Sequence, residues 1–547
     1  MRYTLSTDTG TALHDRGSMN RSKADNSQSP AAPHDAPGRL ASAKPALTLA
    51  GFLSITAAMV LSVHEYPTFA VAGMQIPFFL LASGLLWFLP VAVCSAEMAT
   101  VKGWEDGGIF SWVGGMLGTR FGFAAVFFQW FQITICFVII IYFGLSALSY
   151  LLDFPALNSD PLVKTAGVLA VFWLVSFLQL GGTKRTAVFA KFGFILGVLA
   201  PTVLLLAFSA LYVASGKPLQ LDFGDPKLLP DFTQVSTLVV FVSFLFANMG
   251  AEASASHINE LKNPTRDYPL AMILLVIAAT VLNAIGGFAV AGAVPLDQLS
   301  MSGGMVQTFE TLILAVGPDL GWLVKALCAM LVVGVIGEVG SWVVGPSRAL
   351  YAVAERGLLP ERLKKLNRHG APVPLIIMQG IVVSAWAAVL TLEGGGDNLS
   401  YLAAVSLTAV IYLVAYLMLF ISYTKLILRP DMQRGYHVPG KTAGKWIFSI
   451  VGLATSLFAL IIAFFPPVVI AASQQPAYEA LLAAGFVVTL LLPFIIYAAY
   501  GRKHECEPET KPRHVLAREV NRFARLSGRG EHLLPGEGEQ KQQHPES

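Results

Sequence analysis

The chain has 547 residues, 55% of them hydrophobic and only 13% charged, with a mean hydropathy of +0.62. A soluble domain of this size covers its surface with about 25% charged residues, so most of this surface must meet lipid, and a wholly soluble enzyme is excluded. The formal net charge of +3 is too small to point to nucleic acid as a partner.

In chain order, residues 1–46 are rich in Ser, Asn, Asp, Pro and Ala without periodicity, and read as a disordered cytoplasmic tail. They lack the regions of a secretory signal, so the first spanning helix is expected to do the targeting; Met19 offers an alternative start. Twelve apolar stretches of about 20 residues follow, each long enough to cross a bilayer. They lie near 47–72, 75–99, 119–151, 162–180, 187–214, 235–256, 268–293, 321–346, 373–392, 400–427, 446–471 and 478–500. Alternate connections hold Arg120, Lys184, Arg185, Lys262, Arg266, Arg348, Arg356, Arg362, Lys364, Lys365, Arg368, Arg429, Arg434 and Lys441, whereas the other set clearly holds only Lys217 and Lys227. The basic set is expected in the cytoplasm, and an even number of crossings places both termini there. Residues 501–547 are polar again and form a second cytoplasmic tail, with His504, His514, His532 and His544 spread through it.

An ionisable side chain inside a membrane helix is costly unless it faces a cavity or a partner, so Glu65, Glu252 and Glu338 are functional candidates. Glu97 sits at the cytoplasmic end of the second stretch. For Glu65 and Glu97 an ordinary ion pair or a snorkelling side chain is the plainer reading. The first stretch contains "SVHEYPTF", Ser62–Phe69, with His64 beside Glu65 and a helix-breaking Pro67. An interruption is expected around Ile55–Met59, with "HEYP" opening the next half-helix and Tyr66 as an interface aromatic. The sixth stretch contains "FANMGAEASAS", where Gly250 among small residues precedes Glu252. Small residues also serve ordinary helix packing. The two unusual stretches are five helices apart, the offset of an inverted five-plus-five repeat with discontinuous helices 1 and 6. Broken helices expose free N–H groups at one half-helix end and free C=O groups at the other. The first attract a carboxylate and the second an ammonium, which suits a zwitterionic amino acid.

In the eighth stretch Glu338 and Trp342 are four apart on one helix face, among Gly334, Gly337 and Gly340. An acid and an indole on one stripe can hold an amine by charge and cation–π contact. Tyr412 and Tyr416 share a face of the tenth, and plain packing is an equal reading there. The four cysteines, Cys94, Cys136, Cys328 and Cys506, are scattered singly, so neither a disulfide nor a zinc site is expected. No P-loop, HExxH, GxSxG or metal cluster occurs, so no enzyme and no cofactor is expected.

The strings "EYPTFA", "WFLPVAVCSAEMATVKGWEDGGIFSWV", "GGTKRTA", "GAEASASHINELKNPTRDYPLAM" and "SWVVGPSRALY" closely resemble the bacterial glutamate/4-aminobutyrate antiporters of the amino acid–polyamine–organocation superfamily. The resemblance covers about Leu47 to Tyr500. It implies an all-α membrane protein of twelve transmembrane helices with a LeuT-type 5+5 inverted repeat, exchanging external glutamate for internal 4-aminobutyrate. Such exchange, coupled to a cytosolic glutamate decarboxylase, supports acid resistance. By the resemblance Glu338 is the substrate-pocket acid, Tyr412 and Tyr416 are the tenth-helix tyrosines with Trp342 nearby, and Gly250–Glu252 is the unwound segment. Lys191, in "FAKFG", resembles a lysine that stands in for a sodium ion in some relatives. Two departures stand out. His64 replaces a tyrosine of the family's Tyr-Glu-Tyr-Pro string, and the C-terminal tail, a pH-released plug in the family, aligns poorly here.

The expected mechanism is alternating access. The cargo carboxylate would meet the amides of Ile55, Thr56, Ala57 and Ala58, and its amine the carbonyls of the sixth-helix break at Gly250 and Glu252. Glu338, Trp342, Tyr412 and Tyr416 would contact the distal end, with His64 lining the path. Glu65, Lys191, His514 and His532 are the gating or proton-linked candidates. A fixed carboxylate at Glu338 repels an anionic side chain, so glutamate is expected to enter protonated at acid pH. The alternatives are another amino acid/amine pair such as glutamine, or a channel or sensor on the same scaffold.

Overall fold

The computed structural model describes residues 48–104, 108–180, 191–224, 226–392 and 396–501. The expectations for the two tails, including His514 and His532, and for the Lys184–Arg185 connection lie outside these residues. Among the described residues the regular elements are helices. In chain order we label them α1 (Leu49–Val60), α2 (Tyr66–Ala70), α3 (Gly73–Ala99), α4 (Gly108–Leu117), α5 (Thr119–Leu151), α6 (Pro161–Gln179), α7 (Lys191–Ala214) and α8 (Val240–Phe246). There follow α9 (Pro264–Ala293), α10 (Gly304–Val316), α11 (Gly321–Glu355), α12 (Val373–Leu392), α13 (Gly396–Ile427), α14 (Lys441–Ile462) and α15 (Gln475–Ala499).

Among the described residues, eleven segments are long and apolar enough to cross a membrane. The expected first crossing does not qualify, because it is broken between α1 and α2 and each piece is shorter than the bilayer requires. The expected eleventh stretch runs as a helix only to Ile462, since Pro466 and Pro467 cannot continue it and bias the preceding residue to extended backbone.

Burial separates inner from outer helices. The most apolar stretch of α5 is 94% buried and that of α13 is 83% buried, against 22% for the last crossing. The outer helices expose Ile450, Val488 and Ile495, each more than half accessible. Large apolar side chains so displayed belong against acyl chains. Cys94, Cys136 and Cys328 are buried free thiols.

Two helices approach closely enough to need glycine. A Cβ on Gly197 of α7 would lie 2.2 Å from the Cα of Gly334 on α11, and one on Gly193 would lie 2.7 Å from the Cα of Gly337. The first contact falls in the π-helical stretch Ile195–Leu199. The glycines before Glu338 thus seat α7 against α11.

Each end of the helix array carries an ion-pair cluster. Glu97, fully buried at the end of α3, meets Nη1 of Arg434 at 2.7 Å and Nζ of Lys445 at 2.5 Å, and accepts from the Tyr423 hydroxyl at 2.9 Å. The plainer reading of Glu97 therefore holds. Toward the other end, Asp397 at the start of α13 accepts from Lys164 at 2.6 Å and from Ser300 and Ser302 at 2.8 and 2.7 Å.

Candidate functional site

The first interruption lies at Leu61 and Ser62, both in extended backbone, and not at Ile55–Met59. Ile55, Thr56, Ala57 and Ala58 are inside α1, where amides are committed to the preceding turn; the Thr56 hydroxyl bonds back to Phe52 O at 3.0 Å, and the Ala57 carbonyl accepts from Leu61 N at 2.8 Å. Leu- and Ala-rich sequence favours helix there. The signal for the true position is Ser62-Val63-His64-Glu65, a helix-start pattern, with Pro67 in the first turn of α2. The chain re-enters helix through the 3₁₀ turn Val63–Glu65. At this gap α1 presents its last carbonyls and the next segment its first amides.

Polar side chains converge on the gap. The Ser62 hydroxyl lies against Nδ1 of His64 and within 3.2 Å of Oε2 of Glu338 on α11. His64 Nδ1 is 3.7 Å from the same oxygen, and its Nε2 is 3.1 Å from Oε1 of Glu65, as an ion-pair contact rather than a directed hydrogen bond. Oε2 of Glu65 is buried without a hydrogen-bond partner. The Tyr401 hydroxyl donates to the His64 carbonyl at 2.9 Å and ties the gap to α13. Tyr66 is buried, its ring against Gly286 and its hydroxyl 3.4 Å from Thr202, so it is no interface aromatic.

The second interruption follows α8. The helix ends at Phe246, Gly250 takes φ +96°, and a 3₁₀ segment runs over Ala251–Glu260. This φ favours glycine, and a Cβ there would also lie 2.8 Å from Cη2 of Trp342, so the indole sits directly on the break. Glu252 is buried just beyond. It accepts from the Tyr416 hydroxyl at 2.5 Å, from the Tyr412 hydroxyl, and from Nε2 of Gln129 at 3.1 Å. The Tyr416 oxygen in turn accepts from Gly250 N at 2.8 Å.

Tyr412 and Tyr416 therefore serve Glu252, where expectation had placed them with Glu338. Their spacing aims both hydroxyls at one carboxylate, beyond ordinary packing. Glu338 and Trp342, one turn apart on α11, reach the two interruptions separately: the acid meets the first, the indole the second. Lys191 is exposed at the start of α7 and not in either cluster. Sequence reasoning missed Ser62 and Gln129. A glutamine within the 33-residue apolar α5 was the available signal for the latter.

Beside Glu338 lies a cavity of about 20 Å³ lined by Ser62, Phe143, Gly197, Gly334 and Ser341 among others. A water needs about 10–15 Å³ by this measure, so an amino acid enters only if the walls part. A larger cavity of about 370 Å³, lined by Tyr150, Asp153, Gln307 and Glu310, opens at the far end of α5.

Among the described residues, eleven lipid-compatible segments, one of them interrupted, together with the interrupted 49–70 segment define a multi-pass membrane protein with buried acids at both interruptions. The chain matches the amino acid permease family over residues 47–489 and belongs to that family. It is 56% identical over 490 residues to the glutamate/gamma-aminobutyrate antiporter of Lactococcus lactis subsp. lactis, covering 89% of this chain and 97% of that protein. The same figures hold for the glutamate/gamma-aminobutyrate antiporter of Lactococcus lactis subsp. cremoris. An uncharacterized transporter of Legionella pneumophila is 28% identical over 463 residues, covering 84% of this chain and 98% of that protein.

Proposed function

We propose that this chain exchanges extracellular glutamate for intracellular 4-aminobutyrate by alternating access. The observation that carries the reading is α11, whose Glu338 and Trp342 meet both helix interruptions from one face. The choice of cargo is supported by 56% identity along 97% of antiporters named for that pair. The cargo carboxylate is taken by the amides that follow Ser62, and the amine by carbonyls at Ala247–Gly250 and by Glu338. Counting the interrupted 49–70 segment gives twelve crossings, and the two broken ones, first and sixth, stand five apart as in a LeuT-type 5+5 repeat.

In this reading the basic loops and both termini lie in the cytoplasm and the protein resides in a bacterial inner membrane. It supplies a cytosolic glutamate decarboxylase and so supports acid resistance. The C-terminal tail, through His514 and His532, acts as a pH-responsive plug. Acid pH favours glutamate entry because the carboxylates of the site need a compensating proton.

Labelled glutamate uptake into proteoliposomes tests this. Uptake requires internal 4-aminobutyrate or glutamate and is absent from empty vesicles. Equal uptake into empty vesicles would indicate a channel, and uptake only against glutamine or another amine would reassign the cargo.

A further inference from the structure

We propose that residues 299–303, between α9 and α10, form a strap that closes the extracellular side of the cargo path and is latched by the carboxylate of Asp397. This rests on the exchange reading above for the place of the cargo at the first interruption and for the basic loops in the cytoplasm.

Hydrogen bonds to the first turn of α13 hold the strap. Ser300 Oγ donates to Oδ2 of Asp397 at 2.8 Å, Ser302 Oγ to Oδ1 at 2.7 Å, and Ser302 N to Oδ2 at 3.3 Å. Asn398 holds the backbone between these serines, accepting from Met301 N at 2.8 Å and donating to Leu299 O at 3.0 Å. The strap runs directly onto the segment that follows the first interruption. A Cβ on Gly304 would lie 2.9 Å from Cβ of Pro67 in α2, and one on Gly303 would lie 2.8 Å from Oγ of Ser146 on α5. One turn along α13 from Asp397, the Tyr401 hydroxyl donates to the His64 carbonyl. The start of α13 therefore fastens both the strap and the gap.

The surroundings of the latch suit a seam that opens. The cavity beside Glu338 measures about 20 Å³, so cargo enters only where packed walls separate. The cavity of about 370 Å³ is lined by Asn158, Ser300 and Gly303, which brings open space to the strap's edge, where water can replace each hydrogen bond as it breaks. Asp397 is also provided for once the strap has left. Its Oδ1 lies 2.6 Å from Nζ of Lys164, a buried ammonium 4.2 Å from the centre of the Tyr142 ring. Release removes neutral donors and leaves the ion pair, so no buried charge is stranded. The Glu97 cluster at the opposite end is built more tightly. Its carboxylate is 0% exposed against 21% for Asp397, and it meets both Arg434 and Lys445. Opening there would part buried charges, whereas the strap parts only hydrogen bonds.

The test is the rate at which a membrane-impermeant thiol reagent, added outside right-side-out vesicles, modifies Ser341→Cys, which lines the cavity beside Glu338. Wild-type protein gives the background from the native thiols. Adding Ser300→Ala and Ser302→Ala removes the strap's hydroxyls and keeps the Lys164–Asp397 pair. The rate should then rise roughly tenfold, the order expected when two hydrogen bonds are lost from one side of a two-state equilibrium. In a separate variant, Asn158→Cys is combined with Ser302→Cys, positions whose side-chain oxygens lie 3.4 Å apart. Oxidation should join them and stop exchange of glutamate for 4-aminobutyrate, reduction should restore it, and each single variant is the control. An unchanged external labelling rate, or full exchange with the disulfide formed, overturns the latch. Should either variant fail to fold or to cross-link, the other decides. Labelling needs no cargo, so a wild type that does not exchange the two compounds refutes the exchange reading and leaves the strap to be judged by labelling.

Discussion

Glu252 has both carboxylate oxygens held, by two tyrosine hydroxyls and a glutamine amide, on helices that are among the most buried in the molecule. Glu338 rests on one serine hydroxyl at 3.2 Å and an imidazole at 3.7 Å, beside a cavity and close to a glutamate oxygen with no partner. Both acids stand next to an interrupted helix, yet one site is closed and the other is left incomplete. A fully satisfied buried network fixes geometry, and every member lost is costly. Unsatisfied buried polar atoms are instead places where a ligand or proton completes the set. The proposed function accordingly gives Glu252 the shaping of the second interruption and Glu338 the contact with cargo.

Substitution at the two acids should break this comparison if it is wrong. Glu338→Gln is expected to lower glutamate–4-aminobutyrate exchange in proteoliposomes on the order of 100-fold, the effect of removing a charged binding partner, with little change in thermal unfolding. Glu252→Gln should show the opposite balance. It replaces an acceptor of two hydroxyl bonds by an amide, and is expected to cost about 3 kcal/mol of stability, read as a lowered melting temperature in detergent. If Glu252→Gln instead leaves stability intact and abolishes exchange, the two roles must be reassigned.

The helix crossing behind Glu338 sharpens the same contrast. A Cβ on Gly334 would lie 2.5 Å from the Cα of Gly197, so Gly334→Ala must push α7 and α11 apart, at about 2 kcal/mol, and reduce exchange with it. Gly345, eleven residues on along the same helix, has nothing within 4 Å of such a Cβ. Gly345→Ala should be neutral or stabilising by up to about 1 kcal/mol, since alanine is the better helix former. Melting curves of the pair check both.

The helices themselves were legible because apolar length is dictated by the bilayer. Thr119–Leu151 and Val373–Leu392 fall where hydropathy places them. The sixth-helix break was legible too, since Gly250 at positive φ leaves a sequence mark. The first break was displaced. Ile55–Met59, with its alanines, stays helical, and the break falls after Val60, at Leu61 and Ser62. Which acid the tyrosines serve was not legible, because spacing gives the face of a helix and not the neighbour that face meets. Tyr412 and Tyr416 share a helix face, and only the packing of α13 against the second break aims them at Glu252.

The central claim, that cargo occupies the gap between Glu338 and the first interruption, is tested most directly by protection of a cysteine there. Ser341 lines the cavity and bonds locally, to Gly337 O at 2.8 Å, so Ser341→Cys is a mild change. In vesicles, glutamate and 4-aminobutyrate should each slow modification of that cysteine by a small thiol reagent several-fold, while an amino acid that is not exchanged does not. Modification at one rate with and without either cargo would contradict the account.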